Sequence, residues 1–201
     1  GKNDKDISVV GVDNRNACAE AADYLASLGH RRFAILTMEF DLSGNSGLVG
    51  ASRIEHAYHQ TTVDRLLGYL DGLRQHGIDT DRVPVYETLC DDITVKEALQ
   101  EIFDGDEPPT AILAQSDKIA LIVVDWLKQN GWKVPGEVSV IGFDGVPEAQ
   151  LIEPALTTIK QPITEIGRKA VAAILTPAKV PIHTCLATEL VIGASTAPPP
   201  M

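Results

Sequence analysis

The sequence predicts an α/β protein built on a doubly wound parallel sheet. Short apolar segments without polar alternation recur at 33–36, 111–114 and 138–142, and such segments are typical of strands buried on both faces. Amphipathic stretches of helical period lie between them, so strand and helix alternate as in β-α-β units. The composition, 44% hydrophobic and 22% charged over 201 residues, is that of a soluble globular protein.

The amino-terminal region predicts one β-α-β unit. A short buried strand is expected at 8–12, ending at Asp13, and a helix with one apolar face at 17–28. Gly29 is placed to end this helix in a left-handed turn, and the strand at 33–36 follows. A unit of this kind is the signature of a parallel sheet, since the crossover returns the chain to the same sheet edge.

Residues 39–61 interrupt the alternation. The segment contains small residues and then polar ones, and it predicts an exposed loop that is either a mobile lid or disordered. Regular elements resume after it. The expected elements are helices at 62–76, at 91–103 and from 117 to about 130, and strands at 83–86, 111–114 and 138–142.

The carboxyl-terminal region departs from this regular pattern. A short strand is expected at 156–159, and a helix at 163–175 begins after a proline in a favoured first-turn position. Two closing strands are expected at 182–187 and 189–192. The proline-rich end at 198–201 predicts a disordered tail.

Charge and cysteine content limit the class of protein. The formal net charge is −11, with no basic cluster beyond Arg31 and Arg32, so direct contact with nucleic acid is not expected. No apolar run approaches the ~20 residues that span a bilayer, and the amino-terminal residues contain no signal-peptide core. Cys18, Cys90 and Cys185 are far apart and form no Cys-x-x-Cys motif, which favours reduced thiols in a cytoplasmic protein.

The common catalytic and metal-binding signatures are missing from the sequence. There is no phosphate-binding loop of the Walker type. The segment 44–47 is similar to a nucleophilic serine turn but lacks its Gly-x-Ser-x-Gly spacing and a strand directly before it. His56 and His59 could share a helix face, but without a carboxylate at known spacing they predict a solvated surface. We therefore expect no catalytic residue, metal or cofactor.

Polar side chains follow three of the predicted strands. Asp13, Ser116 and Asp144 stand at carboxyl ends, where open α/β sheets bind ligands. Arg65 opens the helix after the 39–61 loop and could point into the same crevice. Carboxylates accept pairs of sugar hydroxyls and an arginine fork supplies fixed donors, so the set fits a sugar or polyol. Two structural alternatives stay open, since Asp144 could cap the next helix and Arg65 could pair with a surface carboxylate.

These residues belong to a wider pattern. The chain resembles, from about residue 8 to residue 196, the effector-binding core of the lac repressor (galactose repressor) family of bacterial transcription regulators. The matching segments occur in family order and include Val12-Asp13-Asn14, Leu28-Gly29-His30-Arg31-Arg32-Phe33-Ala34, Arg65-Leu66-Leu67-Gly68-Tyr69, Ser116-Asp117-Lys118-Ile119-Ala120, the strand from Val138 to Asp144, and Leu156-Thr157-Thr158-Ile159-Lys160-Gln161-Pro162.

The resemblance implies a two-lobed body of the type I periplasmic-binding-protein kind. A small effector, most often a sugar, nucleoside or purine, would bind between the lobes and shift the DNA affinity of an amino-terminal helix-turn-helix head. Asp13, Arg65, Ser116 and Asp144 fall where the family commonly contacts its effector, and Gln161 falls near the cleft. Ser116 stands where asparagine is frequent, which leaves the identity of the ligand open.

The same resemblance implies a division into lobes. Residues 1–31 and 161–179 would form a partial amino-terminal lobe, and 32–160 with 180–197 the carboxyl-terminal lobe. A homodimer through the carboxyl-terminal lobe is expected, with DNA contact only through a head that this chain lacks and no membrane contact. Two alternatives remain. One is an exported solute-binding protein for sugars, but the turn at Asp144 and the segment 154–162 favour the regulator. The other is an enzyme on the same kind of sheet.

Overall fold

The computed structural model describes residues 7–176 and 180–200. The strands are β1 (Val9–Val12), β2 (Phe33–Thr37), β3 (Gly47–Leu48), β4 (Val85–Glu87), β5 (Ala111–Ala114), β6 (Ser139–Asp144), β7 (Thr157–Lys160), β8 (His183–Leu186) and β9 (Glu189–Val191). The helices are α1 (Asn14–Ser27), α2 (Ala51–Glu55), α3 (Gln60–Gln75), α4 (Asp92–Phe103), α5 (Asp117–Gln129) and α6 (Ile163–Leu175). In the part of the chain described, none of the helices combines the length and apolarity needed to cross a membrane.

The larger sheet has seven strands in the order β3-β4-β2-β5-β6-β7-β9. Its central strands pair in parallel, and only the edge strands β3 and β9 run antiparallel to their neighbours. The chain places β4 on one side of β2 and then β5, β6 and β7 on the other. The strand order therefore reverses between β2 and β5, at the kind of switch point where doubly wound sheets bind ligands. The predicted fold class is confirmed.

Helices cover both faces of the larger sheet. Helices α4 and α5 pack on one face with Ile112 and Ala114 of β5, and α1 and α3 pack on the other with Ala111 and Leu113. All four β5 residues are buried. A strand enclosed in this way has no solvent-facing side, which explains why its sequence shows no polar alternation.

Close packing joins α1 to α3. A Cβ atom on Gly68 would lie 2.2 Å from the carbonyl oxygen of Arg15, and one on Gly72 would lie 2.5 Å from that of Ala19. Glycine at both positions of α3 lets the two helix backbones approach, and α1 presents Ala21 and Ala22 as small buried side chains. As a result α1 is part of the core that covers the larger sheet.

Among the described residues, a second, smaller sheet consists of β1 and β8, paired in parallel, and α6 contacts β1. The predicted β-α-β unit at 8–36 is wrong, because β1 and β2 lie in different sheets. The division into lobes stays a prediction, although two elements pack differently from it. Helix α1 was expected in the amino-terminal lobe, within 1–31, but it packs with α3. Strand β8 was expected in the carboxyl-terminal lobe, within 180–197, but it pairs with β1 instead of extending the larger sheet. Residues 1–6, 177–179 and 201 of the predicted segments lie outside the described residues.

The segment 39–61 is ordered into regular elements, so the prediction of a structureless loop is wrong. It contains β3, which pairs with β4, and α2. The guanidinium of Arg53 on α2 donates to both carboxylate oxygens of Glu87 at 2.7 Å and to Asp41 at 2.9 Å. Glu87 is 2% exposed. A carboxylate buried to that degree requires a paired cation, and Arg53 provides it by holding α2 against the sheet.

The end of the described chain has no regular secondary structure. The Nε2 atom of His30 bonds the carbonyl oxygen of Ala197 at 2.8 Å, and the ring of Pro199 lies beside Gly29. Disorder of the tail beyond residue 197 stays a prediction.

Candidate ligand-binding site

A polar cluster lies at the carboxyl ends of β5 and β6 in the larger sheet. Its members are side chains that come from different elements and hydrogen-bond to one another: Asn14 at the start of α1, Arg65 on α3, Asp144 at the end of β6 and Gln161 just after β7. The cluster therefore occupies the edge where the switch point between β2 and β5 opens.

Arg65 is the centre of this cluster. Its side chain is 5% exposed, and its Nε donates to Asn14 Oδ1 at 2.9 Å while Nη1 donates to the carbonyl oxygen of Gln115 at 2.5 Å. The guanidinium carbon lies 3.7 Å from the centroid of the Phe143 ring, a cation–π contact. These contacts fix the fork in one orientation, with Nη1 3.5 Å from Asp144 Oδ1.

Asp144 presents a carboxylate at the open side of the cluster. Its Oδ1 accepts a hydrogen bond from Gln161 Nε2 at 2.8 Å, and Oδ2 accepts none from any residue that the structure describes. Burial raises the pKa of Asp144, and the charge of Arg65 and the bond from Gln161 oppose that rise. The backbone at Asp144 has φ +122°, which is unusual for a residue other than glycine, and strain of this kind concentrates at functional sites.

A second carboxylate holds the turn that presents Asp144. Asp117 Oδ2 accepts from the backbone N–H groups of Gly145 at 2.7 Å and Val146 at 2.8 Å, and Oδ1 accepts from the hydroxyl of Thr158 at 2.5 Å. Burial is the main cause that raises the pKa of Asp117 to about 6, and the nearby charge of Asp144 adds to it. Asp117 thus positions the chain after β6 and is itself enclosed.

A cavity of about 630 Å³ opens beside the cluster. It lies between the end of β6 and the first turn of α6, and its walls include Asp144, Lys160, Gln161 and Glu165. A volume of this size falls in the range of small-molecule sites. Because α6 contacts β1, the cavity lies where the larger sheet and the smaller β1–β8 unit approach each other.

The structure brings three of the five predicted site residues together, namely Arg65, Asp144 and Gln161. The side chains of the other two cap helices: Asp13 Oδ1 accepts from the N–H of Asn16 at 2.9 Å, and Ser116 Oγ from that of Ile119 at 3.2 Å. Contact of Asp13 or Ser116 with a ligand stays a prediction.

Sequence analysis missed Asn14 and Phe143 as parts of the site. Asn14 follows Asp13 directly at a strand end, so its polarity was visible, but its bond to Arg65 was not. Phe143 is fully buried, and its apolar character predicts only a core position. The stacking of Arg65 on its ring is a property of the folded chain.

Within residues 7–176 and 180–200, no group of three or more His, Cys, Asp or Glu side chains could hold a metal ion. His56, half of the histidine pair considered from the sequence, bonds the carbonyl oxygen of Ser52 through Nδ1 at 2.8 Å. The three cysteines are free thiols. Asp144 Oδ2 accepts no hydrogen bond from the described residues, so the arrangement at Arg65 and Asp144 is suited to hydrogen bonding of a polar ligand.

Comparison with known proteins finds a matching domain family and relatives that are named transcriptional regulators. The family profile of the periplasmic binding protein-like domain matches residues 22–196. An HTH-type transcriptional regulator of Mycobacterium tuberculosis is 34% identical over 96% of this chain and 54% of its own length. The HTH-type transcriptional repressor CytR of Escherichia coli K12 is 34% identical over 85% of this chain and 45% of its own length.

Solved structures of the same kind superpose on the chain. A LacI-family transcriptional regulator from Corynebacterium glutamicum has a TM-score of 0.85 and 31% identity, covering 94% of this chain and 57% of that one. A complex of the transcriptional regulator CelR with cellobiose has a TM-score of 0.79 and 27% identity, covering 97% and 56% respectively. The chain thus spans about half the length of the curated relatives it matches.

Proposed function

Because the chain belongs to the periplasmic binding protein-like domain family, with LacI-family regulators as its relatives, we propose that it senses a small hydroxyl-rich effector for a bacterial transcriptional regulator. The observation that carries the proposal is the preorganised cluster of Arg65, Asp144 and Gln161 beside a cavity of ligand size. The proposed effector is a sugar or a molecule with sugar hydroxyls, such as a nucleoside. DNA binding is assigned to a region of the protein other than this chain.

The chemistry of the site supports a hydroxyl-bearing ligand. Asp144 Oδ2 keeps its acceptor capacity, so it can take hydrogen bonds from sugar hydroxyls, and Arg65 compensates the negative charge from the buried side. Gln161 donates a hydrogen bond from Nε2 to Asp144, and its Oε1 is a further acceptor. The CelR relative was solved with cellobiose, and another LacI-family relative, from Enterococcus faecium, with ribose.

The proposed mechanism is thermodynamic linkage between effector and DNA. An effector that contacts both sides of the cavity favours one arrangement of the larger sheet relative to the β1–β8 unit. Such a preference shifts the population of arrangements and thereby the DNA affinity of the regulator. A homodimer in the cytoplasm is part of the same proposal. The named relatives favour this role over that of an exported solute-binding protein.

A thermal-shift screen tests the proposal. The panel contains ribose, cellobiose, sucrose, nucleosides and purines. A ligand present at a hundred times its Kd should add about 2.7 kcal/mol of stability, which raises the Tm of a chain of this size by roughly 5–10 °C.

The decisive comparison uses two carboxylate variants. Asp144→Asn keeps the shape of the side chain but removes its charge, so the ligand-induced shift should fall to near zero. Asp125→Asn alters an exposed carboxylate on α5 outside the cavity and should keep the full shift. A shift that survives Asp144→Asn, or no shift with any ligand of the panel, would contradict the proposal.

A further inference from the structure

A second cavity, of about 550 Å³, lies at the opposite end of the strands of the larger sheet. Its walls include Phe33, the first residue of β2, and the residues that precede β4 and β5, so it occupies the amino ends of these strands. The Arg65–Asp144 cluster lies at the carboxyl ends. The two cavities are therefore separated by the length of the strands.

The arginines at this second cavity differ from the others in the chain. Within residues 7–176 and 180–200, five arginines form an ion pair with a carboxylate: Arg15, Arg53, Arg65, Arg74 and Arg168. The remaining three, Arg31, Arg32 and Arg82, form none with the described residues, and all three line this cavity. In a chain with a net charge of −11, carboxylate partners are abundant, so three arginines without one at a single cavity stand out.

Two of these arginines are held by backbone oxygens. Arg31 Nη1 donates to the carbonyl oxygens of Ala26 at 2.9 Å and His30 at 2.7 Å, and Arg32 Nε donates to that of Pro108 at 3.0 Å. An arginine fork has five N–H donors, so each keeps most of its donors for another acceptor. Arg82 ends a short 3₁₀ turn (Thr80–Arg82), and its side chain has no hydrogen bond to the described residues.

We propose that this arginine cleft, defined by Arg31, Arg32 and Arg82, binds a small phosphate-bearing anion. A guanidinium fork matches the geometry of a phosphate group and can donate two parallel hydrogen bonds to it. The cavity volume suits a small molecule. Asp79 and Glu107 share the wall with the arginines and can accept hydroxyl hydrogen bonds, so a phosphate ester of a polyol fits the complete lining.

The same lining disfavours nucleic acid. Duplex DNA is a long polyanion, and the carboxylates of Asp79 and Glu107, together with the acidic remainder of the chain, would repel the phosphates that lie outside the cavity. The inference does not depend on effector binding at Asp144, since no residue is shared between the two cavities.

Calorimetric titration tests the arginine cleft, with pyrophosphate and glucose 6-phosphate as probes and glucose as the uncharged comparison. We expect saturable binding of both phosphate compounds at low ionic strength, weakened by added salt because the cleft is open to solvent. Arg82→Gln should weaken binding about tenfold or more, since charge-assisted hydrogen bonds to the phosphate are lost. This variant breaks no hydrogen bond or ion pair among the described residues, so it should fold normally.

Arg15→Gln is the matched control, because Arg15 is an exposed arginine that pairs with Asp71 and lies outside the cavity. This variant should bind pyrophosphate as the unaltered chain does. Absence of saturable binding at low salt, equal weakening by Arg82→Gln and Arg15→Gln, or tighter binding of duplex DNA than of pyrophosphate through Arg82 would each overturn the inference.

Discussion

Replacement of Asp117 by asparagine tests how the turn that carries Asp144 is stabilised. Asp117 is fully buried, and it accepts three hydrogen bonds, from the backbone of Gly145 and Val146 and from Thr158. Asparagine has nearly the same shape. Its carbonyl oxygen can keep both backbone bonds, and its amide can donate to the Thr158 hydroxyl, which then serves as acceptor. The variant should therefore keep the turn while losing the buried charge.

The expected effect follows from the pKa of Asp117, which burial raises from 3.8 to about 6 in the folded chain. A carboxyl whose folded pKa lies above its unfolded pKa is more protonated when folded. Its stabilising contribution is therefore complete below pH 4 and is lost as the pH rises to about 6. A difference of about two units between the folded and unfolded pKa of one group corresponds to roughly 3 kcal/mol of unfolding free energy. Asparagine does not titrate, so Asp117→Asn should lack this loss.

Urea unfolding of both proteins between pH 4 and pH 7 measures the effect. Other titrating groups contribute to both curves, so the quantity to follow is the difference in unfolding free energy between variant and unaltered chain. We expect this difference to change in favour of Asp117→Asn by roughly 3 kcal/mol between pH 4 and pH 7. Two parallel curves would refute the assignment of a raised pKa to Asp117 and the role of burial in causing it.

Three further substitutions test the packing near Asp117 and the anchoring of the 39–61 segment. Gly142→Ala would place a Cβ 2.3 Å from Asp117 Oδ1 and should lower the unfolding free energy by about 3 kcal/mol, whereas Gly167→Ala, in open space on α6, should raise it by about 0.5–1 kcal/mol. Equal effects in denaturant titrations would argue against the close approach. Arg53→Gln leaves the buried Glu87 without its cation and should cost roughly 3 kcal/mol and speed amide exchange in the 39–58 segment; unchanged exchange there would count against the anchor.

Local patterns were sufficient for most elements. The apolar run at 111–114 and the helical period at 163–175 coincide with β5 and α6, because hydrophobic period and flanking turn residues act within a few positions of the chain. The doubly wound class followed from their alternation. Asp144 could be predicted from its place at the carboxyl end of a parallel strand, and Arg65 from its place at the start of the helix after the 39–61 segment. Gln161 was predicted only from the family resemblance, and the structure brings the three side chains together.

The sequence by itself thus determined the class of fold, the strands that form its core and three of the residues at its candidate site. Only the tertiary structure decided that β8 pairs with β1, that α1 packs with α3, and that Arg53 anchors the 39–61 segment. Arg65 and its partner Asn14 are 51 positions apart in sequence, and Arg53 and Glu87 are 34 apart. Contacts over such separations depend on which buried surfaces and charges find complementary partners in space, and no local period records that choice.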